Sequence, residues 1–341
     1  MPIQRVQQAI EDIKHGKMVV MIDDEDRENE GDLVYAATFS TPEMVNFMAT
    51  EAKGLICVAI SKAIAQRLKL EPMVQKNDSQ HETAFTVSVD AKEATTGISA
   101  FERDMTIKLL ASPVSSPDDF VRPGHIFPLI AKEGGVLVRT GHTEGSVDLC
   151  RLSGVAPSAV ICEIMREDGQ MARRDDLELF AKKHDLNIVY ISDIVEYRLR
   201  NERLVRAMEE EEVEFFGTKA LKKRFVDHQG KEHYAVIFYK LHETENVKFH
   251  NIGPDVDLLL NQHRYNQLIE SIEYLKKNGG VIIFLDSRDS AGDTMKEYGI
   301  GAQILAELGI RNIKLLVSSK GREFVGLGGF GLDIVEEIEI R

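Results

Sequence analysis

The chain has 341 residues, of which 43% are hydrophobic and 29% charged, which is typical of a soluble globular protein rather than a disordered or fibrous one. At roughly 150 residues per domain, this length predicts two domains. The longest apolar run, residues 55–60, is far shorter than the roughly 20 residues that span a bilayer, which argues against a membrane protein. The net charge of -14 argues against nucleic acid as a partner, because phosphate backbones require a basic surface.

The amino terminus and the cysteines indicate a cytoplasmic location. The opening residues are polar and amphipathic, without the apolar core of a signal peptide. Three cysteines (Cys57, Cys150 and Cys162) are too few and too oddly numbered for a disulfide framework, which fits a reducing compartment.

In chain order, helical and strand patterns alternate. Apolar residues at helical spacing from Ile3 to Ile13 predict an opening helix that ends at Gly16. Continuous apolar runs predict buried strands over 18–22 and 159–164. In the second half, strands are predicted over 235–239, 281–285 and 313–317, and helices over 268–275 and 299–308.

This alternation predicts a fold between α/β and α+β, with two domains that each contain a mixed sheet and packed helices. The densest charge with little apolar spacing lies at 201–212, which we interpret as a charged linker. The predicted domains are therefore 1–200 and 213–341.

The most unusual segment is 23–32, where seven of ten residues are carboxylates. Most charge runs are solvated loops, and that interpretation applies here too. However, apolar segments flank the run on both sides, and carboxylates this dense repel one another unless a cation or a donor offsets them. Oxygen ligands at the end of a buried strand suit Mg²⁺ or Mn²⁺, and Arg27 could bind a phosphate or a sugar hydroxyl.

A second candidate segment, 139–145, follows an apolar run and reads RTGHTEG. Arg139, the hydroxyls of Thr140 and Thr143, and the close backbone approach that Gly141 permits would form an anion cradle. His142 would be a metal ligand or a general base; the alternative is a glycine turn with a hydrogen-bonded histidine.

Three further features are weaker on their own. The hydroxyls at 95–99 could bind a phosphate or form a plain turn, and His125 follows a proline-glycine turn. Glu163 lies in an apolar run, where an unpaired carboxylate is costly, so it is a candidate acid or base. Cys57 is interpreted as a small core residue.

The first domain resembles 3,4-dihydroxy-2-butanone 4-phosphate synthase over residues 1–200. The resemblance rests on five motifs in the family's order: DDEDRENEGD at 23–32, TTG at 95–97, RPGH at 122–125, RTGHTE at 139–144 and CEI at 162–164. It implies a riboflavin-pathway lyase that converts D-ribulose 5-phosphate into L-3,4-dihydroxybutan-2-one 4-phosphate and formate.

The resemblance also implies the roles of individual residues. Glu28 and His142 would hold Mg²⁺ or Mn²⁺, with two divalent ions in each active site. His125 and Glu163 would be catalytic. The implied substrate-binding residues are Arg27, Glu28, Asp32, Arg139, Thr140, Gly141, His142, Thr143 and Glu163. As in the family, we expect a homodimer whose active sites draw on both subunits.

Residues from 213 onward resemble GTP cyclohydrolase II, through EHYAV at 232–236, YGIGAQIL at 298–305 and GLDIVE at 331–336. That enzyme holds a catalytic zinc through cysteines, and no cysteine occurs here after Cys162. The family's glycine-rich nucleotide segment is replaced by DSRDSAG at 286–292. We therefore expect an inactive domain without zinc. The alternatives are a bifunctional enzyme with a non-cysteine metal site, a regulatory or interaction module, and a sugar-phosphate binder without turnover.

Overall fold

The computed structural model describes residues 2–25, 27–78, 83–286, 294–318 and 332–340, with the backbone alone for 294–298. Of the features singled out in the sequence, Asp26, the segment 287–292 and Gly331 lie outside the described residues. The chain divides into two compact units, Met1–Tyr197 and Arg198–Arg341. Across the described ranges, no helix has both the length and the apolar character needed to cross a membrane.

The first unit is built on a seven-stranded mixed sheet in the order β4-β5-β3-β6-β2-β1-β7. Its strands are β1 (Val19–Ile22), β2 (Gly31–Ala36), β3 (Cys57–Ile60), β4 (Val89–Ala91), β5 (Phe120–Ile130), β6 (Ser158–Glu163) and β7 (Asn187–Tyr190). The helices are α1 (Pro2–Lys14), α2 (Pro42–Phe47), α3 (Lys62–Arg67), α4 (Ala100–Ala111), α5 (His142–Leu152), α6 (Arg174–Lys183) and α7 (Ile191–Asn201). The pairs β3–β5 and β1–β7 are parallel, and the other neighbouring strands are antiparallel.

Apolar patterning accounts for the first elements. Val6, Ala9 and Ile13 lie on one face of α1 and are completely buried. Gly16 follows the helix in the left-handed region, with φ +71°. All four residues of β1 are buried because both faces of the sheet are covered. The predicted opening helix and the predicted strands at 18–22 and 159–164 are therefore confirmed. The side chains of Tyr35 and Met48 are among the largest that the first core encloses fully.

The second unit contains another seven-stranded mixed sheet, in the order β14-β13-β11-β12-β10-β9-β8. Its strands are β8 (Val205–Phe215), β9 (Thr218–Asp227), β10 (Glu232–Phe238), β11 (Thr244–Ile252), β12 (Gly280–Asp286), β13 (Asn312–Val317) and β14 (Asp333–Glu339). The helices are α8 (Asp255–Leu260), α9 (Gln262–Asn278) and α10 (Thr294–Glu307). Strands β12, β11, β13 and β14 run parallel, whereas β8, β9 and β10 join by antiparallel pairing.

The predicted fold class, with two domains of mixed sheet and packed helices, is confirmed. The prediction of a charged linker at 201–212 is wrong for most of its length, because β8 begins at Val205. Its glutamates lie opposite basic residues of β9: the carboxylates of Glu209, Glu210 and Glu211 lie 2.6, 3.2 and 3.0 Å from the basic groups of Arg224, Lys223 and Lys222 respectively. Such cross-strand ion pairs allow an acidic segment to form a strand.

Candidate active site

The turn between β1 and β2 is organised by Asp23, the first residue of the acidic run. Its side chain is completely buried. Oδ1 accepts a hydrogen bond from the backbone N–H of Glu30 at 2.8 Å, and Oδ2 accepts one from the N–H of Glu28 at 3.2 Å. The turn is therefore folded around an internal carboxylate and is not a solvated loop.

Arg27 offsets the charge inside this turn. Its Nη1 lies 2.8 Å from Asp23 Oδ2 and 2.8 Å from Glu28 Oε2. Burial disfavours the charged guanidinium, but the two carboxylates outweigh that effect and raise the pKa of Arg27. The guanidinium therefore remains a fixed positive charge beside the acidic groups.

Asp23, Glu28 and His142 form a candidate metal centre. Each offers a ligand atom, and these atoms all lie within 4.8 Å of one another. His142 Nδ1 is 3.8 Å from Glu28 Oε2. The neighbouring imidazole of His142, together with Arg27, outweighs burial and lowers the pKa of Glu28 to about 2. Burial opposes protonation of His142, but the carboxylates of Asp32 and Glu28 raise its pKa to about 9.

The ring nitrogen Nε2 of His142 is buried and has no hydrogen-bond partner among the described residues. Buried polar atoms in native proteins are nearly always paired, so an orphaned imidazole nitrogen beside carboxylates indicates a ligand-binding atom. Carboxylate oxygens and an imidazole suit Mg²⁺ or Mn²⁺. The residues present therefore fit a divalent cation.

A second pair of carboxyl groups lies beside this centre. Asp32 on β2 faces Glu163 on β6 in the antiparallel register. Burial, followed by the charges of Glu163 and Glu28, raises the pKa of Asp32 to about 7, although His142 acts against the shift. Asp32 Oδ1 is also buried without a hydrogen-bond partner in the described part of the chain. This carboxyl group is therefore poised to exchange a proton near neutral pH.

Glu163 is half-buried at the end of β6, and not fully enclosed in the strand as the apolar run had indicated. Its Oε2 accepts a hydrogen bond from the backbone N–H of Leu55 at 2.8 Å. A Cβ atom at Gly54 would lie 2.6 Å from that same oxygen and 2.3 Å from the Glu163 carbonyl. The close approach of the 54–55 backbone therefore requires glycine and fixes the carboxylate.

The segment 139–143 leads into the start of α5. Gly141 is its N-cap residue and His142 is its first residue. Arg139 Nη1 lies 2.6 Å from Glu144 Oε2, and Glu144 Oε1 accepts the backbone N–H of Lys132 at 2.9 Å. The unpaired backbone N–H groups of a first helical turn attract anions, so this segment can hold a phosphate.

His125 on β5 is held by Asp90 on β4. Asp90 Oδ1 accepts a hydrogen bond from the backbone N–H of His125 at 2.8 Å. Asp90 Oδ2 lies 2.7 Å from the ring nitrogen Nδ1 of His125. A Cβ atom at Gly97 would lie 2.0 Å from Asp90 Oδ2 and 2.7 Å from His125 Nδ1, so Gly97 packs directly on this pair. The imidazole side chain remains 44% exposed.

The threonines that precede Gly97 donate their hydroxyls to Glu102. Thr95 Oγ1 is 2.8 Å from Glu102 Oε1, and Thr96 Oγ1 is 3.0 Å from Oε2. The backbone N–H of Gly97 also donates to Oε2 at 3.0 Å. Of the two interpretations of residues 95–99, a turn therefore describes the local geometry.

The sheet separates His125 from the other predicted site residues. Strand β3 lies between β5 and β6 and pairs with both. When these two pairings are continued from Cys57 back to Leu55, Leu55 lies level with His125 on one side and with Glu163 on the other. His125 is therefore two strand spacings, about 10 Å, from Glu163. Among the described residues, no hydrogen bond or ion pair joins His125 to the centre of Asp23, Glu28 and His142.

The structure brings together four of the predicted site residues, Arg27, Glu28, Asp32 and His142. Asp23, Asp90 and Glu102 were not predicted individually from the sequence. Asp23 was the easiest to find, because it directly follows a buried strand. Asp90 lies 35 residues from His125 and carries no local signal of that pairing.

Buried carboxylates and an imidazole, gathered at the ends of strands in a mixed sheet, define a metal-binding enzyme of small-molecule metabolism. The family model for 3,4-dihydroxy-2-butanone 4-phosphate synthase matches residues 7–197, and the chain belongs to this family. The family model for GTP cyclohydrolase II matches residues 286–339.

Similar proteins, two of which span nearly the whole chain, agree with this assignment. A 3,4-dihydroxy-2-butanone 4-phosphate synthase from Sulfurospirillum multivorans is 63% identical over 339 residues, which cover 99% of this chain and 95% of the relative. The solved two-domain synthase RibBX from A. baumannii is 39% identical, covers 98% of each chain and has a TM-score of 0.83. A synthase solved in complex with two magnesium ions is 41% identical over 58% of this chain and 97% of its own, with a TM-score of 0.56.

Proposed function

We propose that this protein converts D-ribulose 5-phosphate into L-3,4-dihydroxybutan-2-one 4-phosphate and formate, in the cytoplasm, as a lyase of riboflavin biosynthesis. The observation that carries the proposal is the buried group of Asp23, Glu28 and His142 beside the facing carboxyl groups of Asp32 and Glu163. An enolisation needs a positive charge near the developing enediolate and a base near the carbon that loses its proton. This site offers both.

Glu28 and His142 would hold the divalent cation, with Mg²⁺ and Mn²⁺ both suited to the ligand set and two ions expected in each site. When bound, the cation would polarise the substrate oxygens and stabilise negative charge on them. Asp23 already accepts hydrogen bonds from two backbone N–H groups of the turn and is paired with Arg27, so it orients the ligands.

The substrate phosphate would lie at the start of α5. Arg139, Thr140, Gly141 and Thr143 are grouped there, and the first-turn N–H groups favour an anion. Arg27 and Asp32, which lie near His142, would bind the sugar hydroxyls. This arrangement would hold the sugar chain across the carboxylates while its phosphate remains fixed.

Three side chains, those of Asp32, Glu163 and His125, would carry out the proton transfers. Asp32, with a pKa of about 7, lies opposite Glu163 on the neighbouring strand, and His125 is oriented by Asp90. The two products together contain all the atoms of the substrate, so the water lost on dehydration is taken up again before formate leaves. The reaction therefore needs proton carriers and no oxidant.

We also propose a homodimer whose active sites use residues of both subunits, as the family resemblance implies. The position of His125 two strands from Glu163 supports this arrangement, because within one subunit the two proposed catalytic residues lie on strands separated by β3. Ile98 and Phe101, exposed by 55% and 71%, lie near Gly97 and would be covered by the second subunit.

We do not assign GTP cyclohydrolase II activity to the second domain. The chain has no cysteine after Cys162, so the thiolates that would hold a catalytic zinc are missing from the sequence. The second domain therefore acts without that metal and without opening GTP.

The test is formate release from D-ribulose 5-phosphate by the full-length protein with Mg²⁺ and then with EDTA. In parallel, the protein is incubated with GTP and zinc. Metal-dependent formate from the sugar and none from GTP would support the proposal. Formate from GTP would contradict the assignment of the second domain, and no formate from the sugar would overturn the lyase assignment.

A further inference from the structure

The second unit contains a cavity that the lyase reaction does not use. It has a volume of about 220 Å³. Lys248 and His250 on β11, Leu285 on β12 and Ser318 just after β13 form its floor, and the first turns of α9 contribute Arg264. These strands run parallel, and the carboxyl edge of parallel strands is where α/β sheets bind ligands.

The polar lining of this cavity is basic. Lys248, His250 and Arg264 are lining residues, and no aspartate or glutamate is among the lining residues that the structure describes. No ion pair with a carboxylate joins these three residues within the described ranges. The Lys248 ammonium donates a long hydrogen bond of 3.5 Å to the carbonyl of Leu316. Arg264 Nη2 donates to the carbonyl of Asn251 at 3.2 Å.

The proximity of these groups is unfavourable without an anion. Burial lowers the pKa of Lys248, and burial together with Arg264 and Lys248 lowers the pKa of His250 to about 4. A half-buried ammonium without a carboxylate partner costs stability, which applies to Lys248, and the exposed guanidinium of Arg264 adds a second positive charge to the lining. A bound dianion would offset it.

The remaining lining indicates the rest of the ligand. Gln267 is buried, and its Nε2 contacts Nε2 of His263 at 2.9 Å. Phe249, Leu268 and Leu285 give the cavity an apolar wall beside the basic groups. Pockets for drug-sized ligands have volumes of roughly 300–1,000 Å³, so this smaller cavity suits a phosphoryl group with a short organic body.

We propose that this cavity binds a small phosphate monoester, with Lys248 and Arg264 as its charged partners and His250 and Gln267 as polar ones. We assign this site binding and no catalytic step. The second domain is then a ligand-binding module attached to the lyase. This proposal does not depend on the lyase assignment.

The test is a nuclear magnetic resonance titration of the full-length protein labelled at the histidine Cε1 atoms. The chain has ten histidines, and the His250→Gln variant assigns the resonance of His250. This local signal separates binding in the cavity from phosphate binding in the first domain. The probes are glycerol 3-phosphate and inorganic phosphate, with acetate at matched ionic strength as the control anion.

We expect a saturable shift of the His250 resonance with glycerol 3-phosphate, at an affinity equal to or tighter than that for inorganic phosphate. Acetate should bind at least tenfold more weakly. Lys248→Met and Arg264→Met should each weaken glycerol 3-phosphate binding by roughly tenfold or more, because each removes a charge-assisted hydrogen bond. Lys277→Met, exposed near the other end of α9, is the matched control and should bind like the wild type.

The proposal is overturned if the His250 resonance shows no saturable shift, if acetate binds as tightly as the phosphates, or if both charge variants bind like the wild type. Tighter binding of inorganic phosphate than of the ester would overturn the assignment of an organic ligand. Lys248→Met should fold, because it replaces a half-buried cation with an apolar chain of similar length.

Discussion

Asp32 and Glu163 lie directly opposite each other on the antiparallel strands β2 and β6. Side chains at such positions share one face of the sheet with Cβ atoms about 5 Å apart, so the two carboxyl groups are neighbours. Burial raises the pKa of Asp32 to about 7, and the charge of Glu163 adds to this effect. Near neutral pH, Asp32 can therefore accept or give up a proton.

Glu163→Gln should abolish formate release and leave binding of D-ribulose 5-phosphate intact. The amide oxygen can still accept the hydrogen bond from Leu55, but the amide cannot exchange a proton. Calorimetry of substrate binding and a formate assay would measure the two effects. Glu167→Gln, at a side chain 95% exposed, should retain full activity, and an active Glu163→Gln enzyme would exclude Glu163 as an acid or base.

Glu28→Gln should lower kcat/KM by roughly a hundredfold or more and weaken the dependence on Mg²⁺, because a neutral amide is a poor ligand for a hard cation. The fold should remain intact, which circular dichroism would check. Glu25→Gln is the matched control in the same turn, since the Glu25 side chain is 64% exposed and paired with Arg174. Near-normal activity of Glu28→Gln at low Mg²⁺ would remove Glu28 from the ligand set.

Asp90→Asn should reduce kcat by roughly tenfold or more with little change in KM, because an amide no longer holds the imidazole of His125 in one tautomer. Steady-state kinetics would separate the two constants. The double variant Asp90→Asn/His125→Asn should be no slower than His125→Asn alone. Full additivity of the two losses would show that Asp90 acts independently of His125.

Glu102→Gln should lower the stability of the first domain in a pH-dependent way. Hydrogen bonds from Thr95 lower the pKa of Glu102 to about 2, against an ordinary value of 4.5. The stabilising contribution is therefore fully present above pH 4.5 and is lost as the pH falls toward 2. Urea midpoints at several pH values should show the advantage of the wild type shrinking below pH 4.5. A difference that is constant with pH would contradict this assignment.

Local patterns predicted a large part of the fold. The apolar spacing of α1 and the continuous apolar run of β1 each reflect burial, which is encoded within a few neighbouring residues. The acidic run gave the position of the candidate metal centre for a similar reason. Seven carboxylates in ten residues need charge compensation, which Arg27 supplies within the same turn.

The features that were missed depend on distant residues. Strand β8 looked like a linker because the basic residues that pair with its glutamates lie on β9 and become neighbours when the hairpin folds. Asp90 gave no signal because its partner His125 lies on another strand. These pairings are set by sheet register, which neither charge patterning nor a single motif specifies.

The acidic strand β8 has a consequence for how the second domain meets other proteins. It is one edge of its sheet, and β14, which carries Asp333, Glu336, Glu337 and Glu339, is the other. Open edges recruit strands from other chains unless charge prevents it. The charged side chains on both edge strands hinder the addition of a strand from another chain, so neutral replacements along β8 would favour aggregation.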